Sequence, residues 1–379
     1  MTPLERAKLR FSAVFECPGD TRALALLRII VGPIVIYHLL PFLSEMRDGS
    51  YYADYFYAPW ATWLVPPPRS VYFVMLTACV FSSLLMSVGY KTRWTTGYTA
   101  FFVTYNFFSS ETFFRHNRNF LVLILLMLAL VPSGRVFSWD AWRARATTPL
   151  DTRAVLWPMY LMRFEVVCVY SASSISKLLN PDWRSGAVLL TRSRWYEPEL
   201  RASPLPGFVV DLVTDPTFHS LFAKFAIATE LAVALLLVSG RFRYAGAFLA
   251  ISFHAIIEVA LSVQIFSYLA IGGLLIWTTP RVHERTLTFD PALPTAGRAI
   301  RWLKRLDWLA RFRFEAGEQV GQGGLRLLDK DGRVHEGARA LRRALMLCPL
   351  TFAFTAPLVL LDTLRPPARH ASSGGAVHR

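Results

Sequence analysis

Through the first 280 positions apolar residues run in long, nearly unbroken stretches separated by short charged ones, and beyond Thr279 they thin into a periodic pattern. The stretches cover 22–42, 70–90, 95–114, 120–132, 157–178, 217–239, 244–262 and 266–277. A helix needs roughly 20 apolar residues to span hydrocarbon about 30 Å thick. The pattern therefore predicts an all-α polytopic membrane protein of about eight transmembrane helices, the fourth and eighth short for the task.

After Thr279 charge density rises and glycines cluster. The stretch 298–311 predicts an amphipathic helix, with Ile300, Leu303, Leu306 and Leu309 as a stripe at helical spacing. Leu325–Leu328, the Asp331-Gly332 turn and Arg333-Val334 predict a β-hairpin. Gly337–Met346 predicts a second helix. The apolar run 348–361 reads equally as a buried helix, an interfacial helix or a ninth crossing. The expected division is an N-terminal segment 1–21, a membrane domain 22–280, a small α/β domain 281–365 and a disordered tail 366–379.

Composition narrows the class. Of 379 residues 54% are hydrophobic and 18% charged, and the mean hydropathy is +0.36. Soluble domains carry about 25% charged residues, so an ordinary cytosolic protein and a disordered chain are excluded. Cys17, Cys79, Cys168 and Cys348 are scattered, which implies no disulfide framework. The net charge of +15 sits mostly in short loops and the last quarter of the chain. That distribution fits a lipid bilayer with an anionic leaflet and argues against nucleic acid as the partner.

Loop charge also predicts orientation. Arg6, Lys8 and Arg10, then Lys91 and Arg93, then Arg135, Arg143, Arg145 and Arg153, then Arg241 and Arg243, then Arg281 and Arg285 form one alternating set, expected to be cytoplasmic. The loops 45–69 and 180–216 mix their charges and are expected to face outwards. Both termini, and the C-terminal domain with them, are then cytoplasmic, and the expected location is the inner (cell) membrane.

Ionisable residues inside a bilayer are costly and each needs a reason. They are His38, Arg163, Glu165, Lys177, Lys224, Glu230, His254 and Glu258. His254 and Glu258 share a helix face at i, i+4. Two such residues without a third partner do not make a metal site, and the expectation is that they pair with each other or with Arg163 or Lys224. Lys177 ends the fifth run behind Tyr170-Ser171-Ala172-Ser173-Ser174-Ile175-Ser176. It reads either as a snorkelling lysine or, because small residues favour close helix packing, as a lysine set against protein and usable as a general base. The two readings stand level.

Several of these segments together resemble a known family. The segment 173–186 (SSISKLLNPDWRSG), Ser252-Phe253-His254, Phe266-Ser267-Tyr268, the stretch 115–121 and Ser138-Trp139-Asp140 are similar to the HTTM family, which includes the vitamin K-dependent gamma-carboxylases. The likeness covers about residues 20–280. It implies an outward-facing site in which Lys177 is the base that deprotonates a reduced quinone and His116 assists. It further implies that His254, Asp182 and Trp183 lie on the side of the bound cofactor. Nothing in the chain is long enough to replace the carboxylases' substrate-docking region, so protein carboxylation is not implied. Phe289-Asp290, Arg301-Trp302-Leu303, Leu306-Asp307, the Asp331–Val334 turn, Gly337 and Ala340-Leu341 resemble the DCC family of thioredoxin-like proteins, often joined to HTTM proteins. Leu293 and Ala296 stand where that family has its two reactive cysteines, which implies a degenerate, non-redox domain on the cytoplasmic face.

Two functions stay open at this point, an enzyme acting on a lipophilic quinol and a non-catalytic membrane scaffold or partner of another protein. A transporter is the less favoured third, since the chain shows no internal repeat. The aromatic density of 51–63 and 183–196 reads as an interfacial belt before it reads as a lid.

Overall fold

The computed structural model describes residues 2–364 except 17, 51–57, 62, 65, 66, 148, 150, 262–264, 280 and 319. The expected tail 366–379 and most of the aromatic stretch 51–63 lie outside the described residues. The chain divides into two compact units, Met1–Arg281 and Val282–Arg379.

The first unit is helical. α1 (Pro3–Phe15) opens on a capping box, in which Thr2 Oγ1 accepts from the Glu5 N–H and the Glu5 carboxylate accepts from the Thr2 N–H. There follow β1 (Pro18–Asp20), α2 (Arg22–Asp48), α3 (Arg69–Val88), α4 (Thr92–Ser109), α5 (His116–Leu130) and α6 (Trp139–Ala144). β2 (Arg153–Val155) pairs antiparallel with β1, Pro18 opposite Val155. Beyond it come α7 (Trp157–Leu179), α8 (Pro181–Ser185), α9 (Ala187–Ala202), α10 (Gly207–Thr214), α11 (Pro216–Val238), α12 (Arg243–Leu261) and α13 (Ile265–Gly273), the last extended by a 3₁₀ turn over Leu274–Trp277.

Each of the eight apolar stretches is helical over most of its described residues. Three helices, α2, α3 and α11, are long and apolar enough to cross a membrane, and α5 and Ile265–Trp277 are shorter apolar helices. α7 is 23 residues long but carries Arg163, Glu165 and Lys177. The lipid-facing character is plain on α3 and α11, where Phe73, Val74, Phe81, Phe225, Leu235 and Val238 are exposed in numbers that water would penalise. Inside, α2 packs on α3 and α13, and α11 packs on α7 and α12.

One fully buried arginine ties the α2–α3 corner. Arg28 donates to the Met86, Ser87 and Phe137 carbonyls, so its charge meets two carbonyls in the last turn of α3 and one just before α6. Gly89 makes this fit possible: at φ +77° it ends α3, and a Cβ there would stand 2.3 Å from Ser138 Cβ.

The second unit is a mixed four-stranded sheet with helices. Its elements are β3 (Arg285–Phe289), α14 (Pro294–Leu306), β4 (Phe312–Ala316), β5 (Leu325–Leu328), β6 (Val334–Glu336), α15 (Gly337–Met346) and α16 (Phe352–Leu364), with strand order β4-β3-β5-β6. β3 and β4 are parallel with Arg285 opposite Phe312, and the other two pairings are antiparallel. The predicted hairpin is β5–β6, Arg326 opposite Glu336.

The predicted helix 298–311 is displaced. Pro294 starts α14 four residues earlier, and Asp307 stops it by accepting from the Arg311 and Phe312 N–H groups at 2.7 and 3.0 Å. Leu309 is still buried but reaches the core from the connecting turn. α16 packs on α15, and its 13 residues span about 20 Å, short of the hydrocarbon thickness. Arg285, fully buried, donates to Asp329 at 2.7 Å, and Arg343 reaches the same carboxylate at 2.8 Å. This triad fastens the sheet to α15.

Candidate functional site

On α7 the residues Tyr170, Ser173, Ser174 and Lys177 follow one another at i, i+3, i+4 and i+7, so they share one face. That face meets α11. Ser174 Oγ donates to the Ile227 carbonyl at 2.9 Å, which fixes the register of the two helices. In that register Glu230 arrives opposite Ser173 and Lys177.

Lys177 and Glu230 form an ion pair, Nζ donating to Oε1. Lys177 Nζ also donates to Ser173 Oγ at 2.7 Å, and that hydroxyl donates to Glu230 Oε1 at 3.2 Å. The side chains are 16% and 7% exposed. The ammonium lies 4.9 Å from the centre of the Trp183 ring, a cation–π contact. Trp183 is held there by α8: Pro181 begins that helix, and Asn180 Oδ1 accepts from the Asp182 and Trp183 N–H groups. Gly186 then turns the chain at φ +84° directly against the His219 backbone.

A second pair lies two turns deeper on the same face of α7. Tyr170 Oη and His254 Nε2 are 2.7 Å apart. His254 is 1% exposed, with the Phe253 and Phe266 rings at 5.5 and 5.2 Å, and Ser267 Oγ donates to its carbonyl. Two buried atoms of the site, Glu230 Oε2 and His254 Nδ1, have no hydrogen-bond partner among the described residues.

The structure therefore gathers Lys177 with Trp183, and sets His254 on the same α7 face through Tyr170. His116 and Asp182 make no hydrogen bond or ion pair with Lys177 among the described residues. His116 is exposed at the start of α5, its ring 5.5 Å from Phe114. Asp182 is exposed in the first turn of α8.

The expected pairings of buried charge are corrected. His254 bonds to Tyr170, and Glu258 Oε2 is buried with no hydrogen-bond partner among the described residues. Arg163 donates to the Ile276 and Thr278 carbonyls, and Lys224 is exposed. Among the described residues no group of three or more His, Cys, Asp and Glu side chains is placed to hold a metal ion. Sequence reasoning missed Tyr170, Ser173 and Glu230 as members of the site. The 170/173/174/177 spacing marked the first two, whereas nothing local to α11 marks Glu230 as the partner of Lys177.

In the second unit Leu293 is the N-cap of α14 and Ala296 lies in its first turn. Cys348 is fully buried, and burial pushes its thiol up to about 12. It offers no thiolate near neutral pH.

The HTTM domain family matches residues 17–281 of the chain. No curated protein and no solved structure matches it.

Proposed function

The chain belongs to the HTTM family, and from that premise we propose that its membrane unit binds a reduced quinone beside Lys177 and that Lys177 takes a proton from it. The observation that carries this reading is the buried Lys177–Glu230 pair with the unbonded Glu230 Oε2 beside it. A lone buried ammonium is no base. A Lys–Glu pair in low dielectric is different, because moving the shared proton to the carboxylate leaves two neutral groups and a free amine lone pair. Ser173 holds both partners in line for that transfer, and the Trp183 ring covers the amine from one side.

The residues fit such a group. Glu230 Oε2 is a buried acceptor and His254 Nδ1 a buried ring nitrogen, both without partners among the described residues, and either suits the quinol hydroxyl that Lys177 does not deprotonate. Once deprotonated, a reduced quinone supplies oxygen-dependent chemistry that ends in an epoxide. Tyr170 fixes the His254 ring through Nε2 and so leaves Nδ1 for the ligand. His116 and Asp182 enter this reading through the family resemblance alone.

The same proposal places about eight crossings in the cell membrane with both termini cytoplasmic. It also treats the second unit as a thioredoxin-like domain of DCC type. A parallel β3-α14-β4 unit followed by an antiparallel hairpin and a helix supports that, and Leu293 and Ala296 at the α14 N-terminus make its role non-redox.

A second reading is a non-catalytic scaffold or partner protein. It is favoured by the completeness with which Glu230 neutralises Lys177, since a satisfied pair serves packing without chemistry. Oxygen uptake and quinone-epoxide formation by purified protein given reduced menaquinone, for wild type and Lys177→Ala, separate the two. Epoxide from the wild type and none from Lys177→Ala supports the enzyme. A folded, monodisperse wild type that makes none overturns it in favour of the scaffold.

A further inference from the structure

Three helix ends meet away from Lys177, at the other end of α7. Arg163 lies six residues into α7, Arg243 is the first residue of α12, and Trp277 closes the 3₁₀ turn after α13. Arg163 donates to the Ile276 and Thr278 carbonyls at 2.7 and 2.8 Å, and Arg243 to the Trp277 carbonyl at 3.4 Å. Both guanidinium groups stack near the Trp277 ring, at 5.7 and 5.9 Å from its centre. Three carbonyl dipoles ease two full positive charges without cancelling them. Among the described residues neither arginine has a carboxylate partner. Two like charges gathered on one indole in a membrane protein, with no counter-ion, need an anion to offset their repulsion.

The donors for such an anion are already in place. Arg243 Nε and Trp277 Nε1 are buried and donate to no acceptor among the described residues, although buried N–H groups nearly always have one. The indole N–H and the Nε–H of the Arg243 guanidinium, set beside the Arg163 guanidinium, match an oxyanion carrying several acceptor oxygens. Trp157, Leu161, Phe164 and Phe242 are exposed at the same helix ends, and they offer an acyl chain an apolar surface there. Basic pockets between transmembrane helices at the leaflet surface take lipid head groups for the same reason.

We propose that Arg163, Arg243 and Trp277 form a binding site for a phosphate group carried by an anionic phospholipid of the adjoining leaflet. The lipid would clamp the starts of α7 and α12 to the end of α13. This site stands whether or not Lys177 is catalytic.

The test is native mass spectrometry of delipidated, detergent-purified protein titrated with dioleoyl phosphatidylglycerol, dioleoyl phosphatidylcholine or inorganic phosphate. The wild type is expected to hold phosphatidylglycerol in preference to phosphatidylcholine. Arg243→Gln should weaken that binding about tenfold and Trp277→Phe several-fold. Trp277→Phe keeps the aromatic stack and removes only the indole N–H, so it carries the test if Arg243→Gln misfolds. Equal affinity for the two lipids, or unchanged phosphatidylglycerol binding in a folded Trp277→Phe, overturns the site. Displacement of the lipid by millimolar inorganic phosphate overturns the lipid as its source.

Discussion

Replacing Lys177 with Met should destabilise the membrane unit more than replacing Glu230 with Leu, and the two changes together should cost less than either alone. The asymmetry comes from what each leaves behind. Without Glu230, the Lys177 ammonium retains Ser173 Oγ at 2.7 Å, the Trp183 ring at 4.9 Å and 16% exposure. Without Lys177, the Glu230 carboxylate retains one hydroxyl, from Ser173, at 7% exposure, with Oε2 unbonded. Breaking a buried pair typically costs about 3–5 kcal/mol, whereas replacing both partners by apolar residues is often near neutral. Lys177→Met should therefore fall near 4 kcal/mol, Glu230→Leu near 2–3 kcal/mol and the double variant within about 1 kcal/mol of wild type. Unfolding in micelles of rising SDS fraction, read by circular dichroism at constant lipid, measures all four corners of the cycle. Additive losses would refute the reasoning, because they would mean that the two charges do not depend on each other. The double variant also serves function: it should fold and make no epoxide, which separates loss of chemistry from loss of structure.

Three further outcomes follow from other parts of the chain. Gly186→Ala forces a Cβ to 2.5 Å from the His219 carbonyl carbon at a φ of +84°; it should cost about 2–4 kcal/mol, and the same SDS titration checks it. In the second unit, burial would raise the Asp329 carboxyl, but Arg343 and Arg285 outweigh it and hold it down to about 2. Its contribution of about 2 kcal/mol is thus complete above pH 4 and lost as pH falls from 4 to 2, so hydrogen-exchange protection of β3 and β5, taken relative to the intrinsic amide rate at each pH, should fall through that window, and Asp329→Asn should remove the pH dependence while loosening both strands at neutral pH. Cys348, with its thiol pushed up to about 12 by burial, should resist maleimide at pH 7 in the folded protein and react once denatured; rapid labelling of the native chain would contradict its placement.

What the sequence made readable divides along a physical line between local and distant determinants. The eight helical stretches were readable because apolar length is a property of the stretch itself. The β5–β6 hairpin was readable because Asp331-Gly332 sets its own turn, Gly332 standing at φ +79°. The limits of α14 were not, because the stripe from Ile300 to Leu309 keeps helical spacing past the point where the Asp307 side chain takes the Arg311 and Phe312 N–H groups and ends the helix. Periodicity tells which residues are buried; it does not tell whether they reach the core from a helix or from the turn after it.

The candidate site shows the same limit more sharply. One face of α7 could be read as a unit, Tyr170 to Lys177, but what stands opposite it depends on how α7 and α11 are set against each other, and Glu230 is 53 residues away from Lys177. Inside a membrane an ionisable side chain takes whichever partner the helix register delivers. Arg163 took backbone carbonyls where a carboxylate had been expected. The register between α7 and α11 is held by the Ser174–Ile227 hydrogen bond. Advancing α11 by one residue would rotate its face by about 100° and carry Glu230 away from Lys177. Lys177 thus owes its ion-pair partner to a serine hydroxyl that takes no part in the pair.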